Sequence, residues 1–210
     1  MAMDQLLSSA IGFGIKEVSD VAFYKEGTVE CDAKGNLTAT EAPLFILDTL
    51  KVSNIENTAE QSDAKGGKGN APLITWDYGR EITISLQDAV LSEKTLSLMF
   101  EGSADAADNV IEINARKYPG VYTVVGKTFA RDLGGKDSLF TWFVPKAKVN
   151  SEVTLTMEAE GDPTVFDMNL KVLRTSDGTM VKLIRDKGED GAYVSADGYA
   201  AAEAFPTVNG

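Results

Sequence analysis

A period of two dominates this chain. Between Glu81 and Gln87, the apolar residues Ile82, Ile84 and Leu86 alternate with Thr83, Ser85 and Gln87. An extended strand sends successive side chains to opposite faces, so this run makes one core face and one polar face. Val110–Lys117 repeats the pattern, with Ile111 and Ile113 set against Glu112 and Asn114. Val153–Ala159 does so again, with Val153, Leu155 and Met157 against Thr154, Thr156 and Glu158. The shortest consistent reading is a mostly β fold built of many strands.

Other segments extend that reading. Val18–Tyr24 is short and mixed, and Leu44–Val52 is apolar enough for a buried strand. Leu73–Trp76 and Glu81–Gln87 read as two strands joined near Asp77-Tyr78-Gly79-Arg80. Tyr118-Pro119-Gly120 turns the chain into Val121–Thr128, and Leu139–Val144 carries Phe140, Trp142 and Phe143. Gly161-Asp162-Pro163 leads into Val165–Leu173, and Ser176-Asp177-Gly178 predicts a hairpin into Met180–Ile184, because Asp-Gly supplies positive φ readily. One helix is predicted: Ser92 is its N-cap, Glu93 suits its positive end, and Leu96, Met99 and Phe100 fall at helical spacing before Gly102. About ten residues long, it depends on packing against a sheet. A second short helix is predicted near Met3–Ile11. Asn54–Asn70, with Gly66-Gly67-Lys68-Gly69-Asn70, reads as a long loop, either disordered or used in contacts. Arg185–Gly210 reads as an extended C-terminal segment whose Tyr193, Tyr199 and Phe205 call for a packing surface, in a neighbouring copy or in the chain itself. The whole is read as one β domain over 1–210, with the long loop at 54–70 and the extended segment at 186–210.

Composition narrows function more than fold. The chain has 210 residues and no histidine, which removes the usual general base, the Ser–His and Cys–His pairs and the commonest zinc ligand. Carboxylate or lysine chemistry remains open. Cys31 is the one cysteine, so no internal disulfide forms; it reads as a small buried hydrophobe, and the adjacent Glu30 and Asp32 oppose thiolate formation. No apolar run approaches the roughly 20 residues of a membrane span. Asp4 and Gln5 stand where a signal peptide carries Lys or Arg, so no export signal is read and a reducing cytoplasm is the expected place of synthesis. A net charge of −12 opposes binding to phosphates or anionic membranes, and by itself it is also simply what keeps a protein soluble.

Local motifs carry little chemistry. Gly126-Lys127-Thr128 ends like a phosphate-binding loop, but position 121 is Val and the segment reads as a strand. Gly12-Phe13-Gly14 opens like a dinucleotide fingerprint, yet position 17 is Glu and no strand precedes it. Gly66–Asn70, with Lys65 and Lys68, could form an anion nest, though a flexible or assembly-ordered loop fits better. Asp186, Glu189 and Asp190 around two glycines could bind calcium but lack EF-hand spacing. Glu158 and Glu160 fit a solvated strand face better than a glycosidase pair. Trp76 and Trp142 could form a sugar platform with the tyrosines, although Trp142 lies in an apolar strand and reads as core. Aromatics are interspersed with acids and not with basic residues, against single-strand nucleic-acid binding. No catalytic, cofactor-binding or metal site is assigned, and the chain is read as a non-enzyme.

Three stretches together resemble those of bacteriophage tail structural proteins, especially tail tube subunits. They are Gly69–Glu81 with its following strand, Asp88-Ala89-Val90-Leu91-Ser92 leading into the helix, and Met157–Pro163 followed by Val165-Phe166-Asp167-Met168. The resemblance covers about a fifth of the chain and implies a β-sandwich or barrel-like fold with one flanking helix. It also implies six-subunit rings lined by a continuous β-barrel, stacked through loops and termini, with other tail proteins as partners. In that setting the protein belongs to a virion tail assembled in the host cytoplasm, needs no cofactor or membrane anchor, and lets DNA pass without specific binding. Six copies at −12 each carry −72 per ring, and an acidic lumen would repel the genome it conducts. A baseplate or capsid-associated part, or a ligand-binding β-sandwich module, are the alternatives.

Overall fold

The computed structural model describes residues 12–15, 20–32, 35–90, 92–101, 115–150, 166–185 and 205–206. In chain order the strands are β1 (Phe13–Ile15), β2 (Asp20–Lys25), β3 (Val29–Cys31), β4 (Leu37–Ala39), β5 (Phe45–Leu47), β6 (Leu50–Gly66), β7 (Ala71–Asp88), β8 (Val121–Asp132), β9 (Asp137–Val149), β10 (Phe166–Val172) and β11 (Lys182–Arg185). Helix α1 (Glu93–Glu101) lies between β7 and β8. The mostly β expectation with a flanking helix holds.

Nine of these strands form one antiparallel sheet in the order β5-β2-β8-β9-β10-β7-β6, with β1 also on β8 and β11 also on β9. It is not closed into a barrel, and the second sheet is the small pair β3–β4. Burial explains which strands read as alternating. β10 is buried at every second residue, from Phe166 to Val172, because only one of its faces meets the core. In β2, Val21, Ala22, Phe23 and Tyr24 are all buried, because core lies on both faces. One face joins Val21, Phe23, Val124, Trp142, Leu170 and Ile84 in the larger core. The other joins Ala22, Tyr24, Val125 and Phe143 with Val29 and Ala39 of the small sheet and with Phe205. Strands covered twice become nearly continuous apolar runs, as in Leu139–Val144, where Thr141 alone is polar.

Helix α1 starts as its sequence predicts. The Thr95 amide donates to Ser92 Oγ at 3.1 Å, and the Leu96 amide donates to the Ser92 carbonyl at 3.0 Å. Its buried side includes Leu98 and Met99, packed in the larger core.

Five expectations are corrected. Asn54–Asn70 is no loop: it is most of β6 and the turn into β7, paired from Leu50–Asp88 to Gly66–Ala71. Asp77-Tyr78-Gly79-Arg80 is no joint either, since β7 runs through it with an irregularity. Leu44–Val52 is split into β5 and the start of β6. The Ser176-Asp177-Gly178 turn forms, with Gly178 at φ 90° and the Thr175 amide donating to the Thr179 carbonyl at 3.0 Å. Its flanking strands, however, pair with β9 and not with each other. Within that turn the Thr175 and Thr179 hydroxyls and the Thr179 amide hold the Asp177 carboxyl down at about 2. Cys31 is half-buried against the second core and not fully enclosed.

The predicted helix near Met3–Ile11, the strand Val153–Ala159, most of Val110–Lys117 and most of 186–210 lie outside the described residues. One point of that last segment is described: Phe205 is buried in the second core, and Tyr24 Oη donates to the Pro206 carbonyl at 2.9 Å. This part of the segment packs on its own chain.

Tyr122 carries a further consequence. Its ring meets Phe23 edge-on at 6.4 Å, while its hydroxyl is buried beside Gly120 with no hydrogen bond of good geometry. Burial pushes its pKa up. A buried, unmatched hydroxyl costs stability, so Tyr122→Phe is expected to leave urea-unfolding stability unchanged or raise it by up to about 1 kcal/mol. A loss above about 1 kcal/mol would show that the hydroxyl is bonded in solution.

Candidate assembly surface

Among the described residues, the outer half of the β6–β7 hairpin stands clear of the two cores. Its root packs on the body through Ile55, Ile82, Ile84 and Leu86. From Glu56 outward, every β6 residue to Asp63 is exposed, as is every β7 residue from Ala71 to Glu81. β6 ends the sheet order, so its outer edge leaves backbone donors and acceptors open along a 17-residue strand.

The two sides of this arm differ in chemistry. Ala64–Ile74, Ser62–Trp76 and Glu60–Tyr78 are cross-strand pairs, so Ile74, Trp76 and Tyr78 share one side. Each is more than half exposed, at 55%, 53% and 52%. On the opposite side, Gln61 Nε2 donates to Asp77 Oδ1 at 2.9 Å and Thr75 Oγ1 donates to Asp63 Oδ1 at 2.8 Å. The side chains there satisfy one another.

A bulge sets which side is apolar. Ile74, Trp76, Tyr78, Ile82, Ile84 and Leu86 all occupy even positions, and an unbroken strand would send all six to one face. Between the Thr58–Glu81 and Glu60–Tyr78 pairs, β7 carries one residue more than β6. Gly79, at φ 61°, sits in this bulge against Glu60. The extra residue reverses the alternation, so the outer apolar stripe faces away from the side that enters the core. At the tip, Gly67 (φ 77°), Gly69 (φ 93°) and Asn70 (φ 52°) turn the chain, and the Asn70 amide donates to the Gly67 carbonyl at 3.2 Å.

At the root, the side facing away from the core is polar. Ser85 Oγ donates to Asn169 Oδ1 at 2.8 Å, Gln87 Nε2 donates to Asp167 Oδ1 at 2.9 Å, and Lys171 pairs with Glu81. A shallow groove of about 270 Å³ lies there, lined by Val52, Leu86 and those first four polar residues. Its polar groups are partnered with one another across the strands.

The remaining sequence motifs resolve as structure. Gly126-Lys127-Thr128 lies inside β8, where Gly126 leaves room for the Trp142 indole: a Cβ there would meet Trp142 Cε2 at 1.9 Å. Gly12-Phe13-Gly14 leads into β1, where Phe13 meets the Phe140 ring at 5.7 Å and the Arg185 guanidinium at 5.2 Å. Gly66–Asn70 is the hairpin tip. Trp142 is core and Trp76 is on the arm, so the two do not form one platform. Glu158, Glu160 and the carboxylates of 186–190 lie outside the described residues. Among the described residues, no three metal-ligating side chains gather, and no helix is long and apolar enough to cross a membrane.

Among the described residues, then, an antiparallel sheet presents an exposed, two-faced hairpin and an unpaired edge. The chain belongs to the YomU/Tube protein family, whose model matches residues 13–103 and 100–184. A chain in the cryo-EM structure of the anti-feeding prophage (AFP) baseplate, 6-fold symmetrised, is similar to it over 81% of this chain and 95% of that one, at 15% identity and a TM-score of 0.47. No curated protein matches it. Family membership supports a structural part in a phage-type particle.

Proposed function

We propose that this protein is a tube subunit. Six copies close into a ring through their β6 edges, and rings stack into a conduit for DNA in a virion tail. The observation that carries this reading is the arm: an exposed apolar stripe and a full-length open edge are costly for a lone molecule and useful in a repeating one. The polar root side, with Glu56, Glu81, Asp167 and Lys171 among amides and hydroxyls, lines the lumen. There Glu56, Glu81 and Asp167 outnumber Lys171 and its exposed register partner Lys148, and the hydrogen-bonded surface gives DNA little to grip. The chain needs no cofactor and performs no chemistry in this role, and residues 1–210 act as one domain. Other tail proteins cap the tube at its ends.

Negative-stain electron microscopy of the purified chain tests the proposal. The expected result is six-fold rings that lengthen into tubes as concentration rises. Closed rings that never lengthen would move the protein to a baseplate. A species that stays monomeric at high concentration would end the ring reading. A lumen lined by Lys and Arg would overturn the low-friction account.

A further inference from the structure

We propose that the hairpin tip, residues 65–76, is a cationic and apolar docking arm that seats on the acidic surface of a second copy of this chain. The inference rests on the self-assembly reading and names what the arm holds. Between Lys65 and Trp76 the sequence has two lysines and no acidic residue. The tip therefore carries +2 in a chain of −12, leaving −14 on the remainder. The acidic surface of another copy is electrostatically complementary to this tip.

The described core of its own body lies far from it. The last hairpin positions held by the larger core are Ile55 and Ile82. Eleven strand residues beyond Ile55, the tip stands roughly 35 Å farther out at about 3.3 Å per residue. That is several Debye lengths at physiological salt, about 8 Å each. Within the arm, Lys65 Nζ has only a loose approach to Asp63, at 3.9 Å, and remains half exposed. Lys68 is exposed at the turn. Beside them, Ile74 and Trp76 offer apolar area that gains only where water is excluded, and Leu73, 69% exposed, adds to it. Two lysines at the turn followed by exposed apolar residues along β7 fit a protein face with an acidic border. A nucleic acid is the weaker partner. Two lysines neutralise few phosphates, and the rest of the chain repels them.

The test uses the full chain and its Lys65→Glu/Lys68→Glu variant, compared by sedimentation velocity and electron microscopy at about 50 and 500 mM salt. Wild-type association should weaken with salt, and the variant should associate at least tenfold more weakly with an unchanged melting curve in dilute solution. Carbodiimide cross-linking of mixed light- and heavy-nitrogen wild-type copies should join Lys65 or Lys68 to carboxylates of the other isotope. If the variant builds tubes as readily as wild type, or if all tip cross-links are within one copy, the docking arm is refuted while the tube reading stands. If wild type stays monomeric and instead binds a 30-mer DNA through these lysines, both are refuted.

Discussion

Gly126→Ala is expected to destabilise the fold by about 3 kcal/mol, although alanine normally strengthens a strand. The added methyl would meet Trp142 Cε2 at 1.9 Å and Cζ2 and Nε1 at 2.2 Å. No rotation of a flexible end relieves such a contact, because the obstacle is a rigid indole. Trp142 is 2% exposed and belongs to the larger core, so it cannot swing into solvent. Gly126 and Trp142 are also register partners on β8 and β9, which fixes their backbones against each other. Thermal unfolding of dilute protein should fall by roughly 6–12 °C for a domain of this size. Combining Gly126→Ala with Trp142→Phe should recover at least about 1 kcal/mol relative to additivity, since the shorter ring vacates the space. A loss below about 1 kcal/mol for the single variant would mean that the strands part easily, contrary to their burial.

The second large effect separates the other tryptophan from the first. Trp76→Ala should weaken self-association by about 30-fold or more, the loss of about 2 kcal/mol typical of an aromatic anchor at an interface. Its unfolding midpoint as a dilute monomer should stay within about 0.5 kcal/mol of wild type, because Trp76 is half exposed and outside both cores. Trp142→Ala should do the opposite and cost about 3–5 kcal/mol of folding stability. If Trp76→Ala assembles normally, the apolar side of the arm is not where copies meet.

These two residues also show what the sequence could disclose. Trp142 sits in Leu139–Val144, a run apolar but for the buried Thr141, and its side chains enter both cores. Ile82, Ile84 and Leu86 were legible for the complementary reason: one face of β7 is dry there and the other wet. β6 beyond Ile55 has both faces in water, so no alternation is selected, and its polar residues look like a loop. Gly79 could be read as a turn or as a bulge, because both conformations need a positive φ. The Asp177-Gly178 turn was local and legible. The partner of its flanking strands was not, because β9 claims both through tertiary contacts. The candidate assembly surface was therefore visible only in fragments: a glycine-rich tip, an exposed-looking Trp76, and an alternation whose reversal required the register.

The bond from Tyr24 to Pro206 spans 182 positions of sequence. A chain emerging from the ribosome can zip β6 onto β7 at once, since their contacts are local, but cannot finish the second face of β2 until Phe205 is out. The exposed arm is thus the early product of synthesis and the closed second core the late one. If the arm joins copies as proposed, growing polypeptides held on one messenger would display it before the body behind it is complete, and timing during translation becomes a hazard for premature joining.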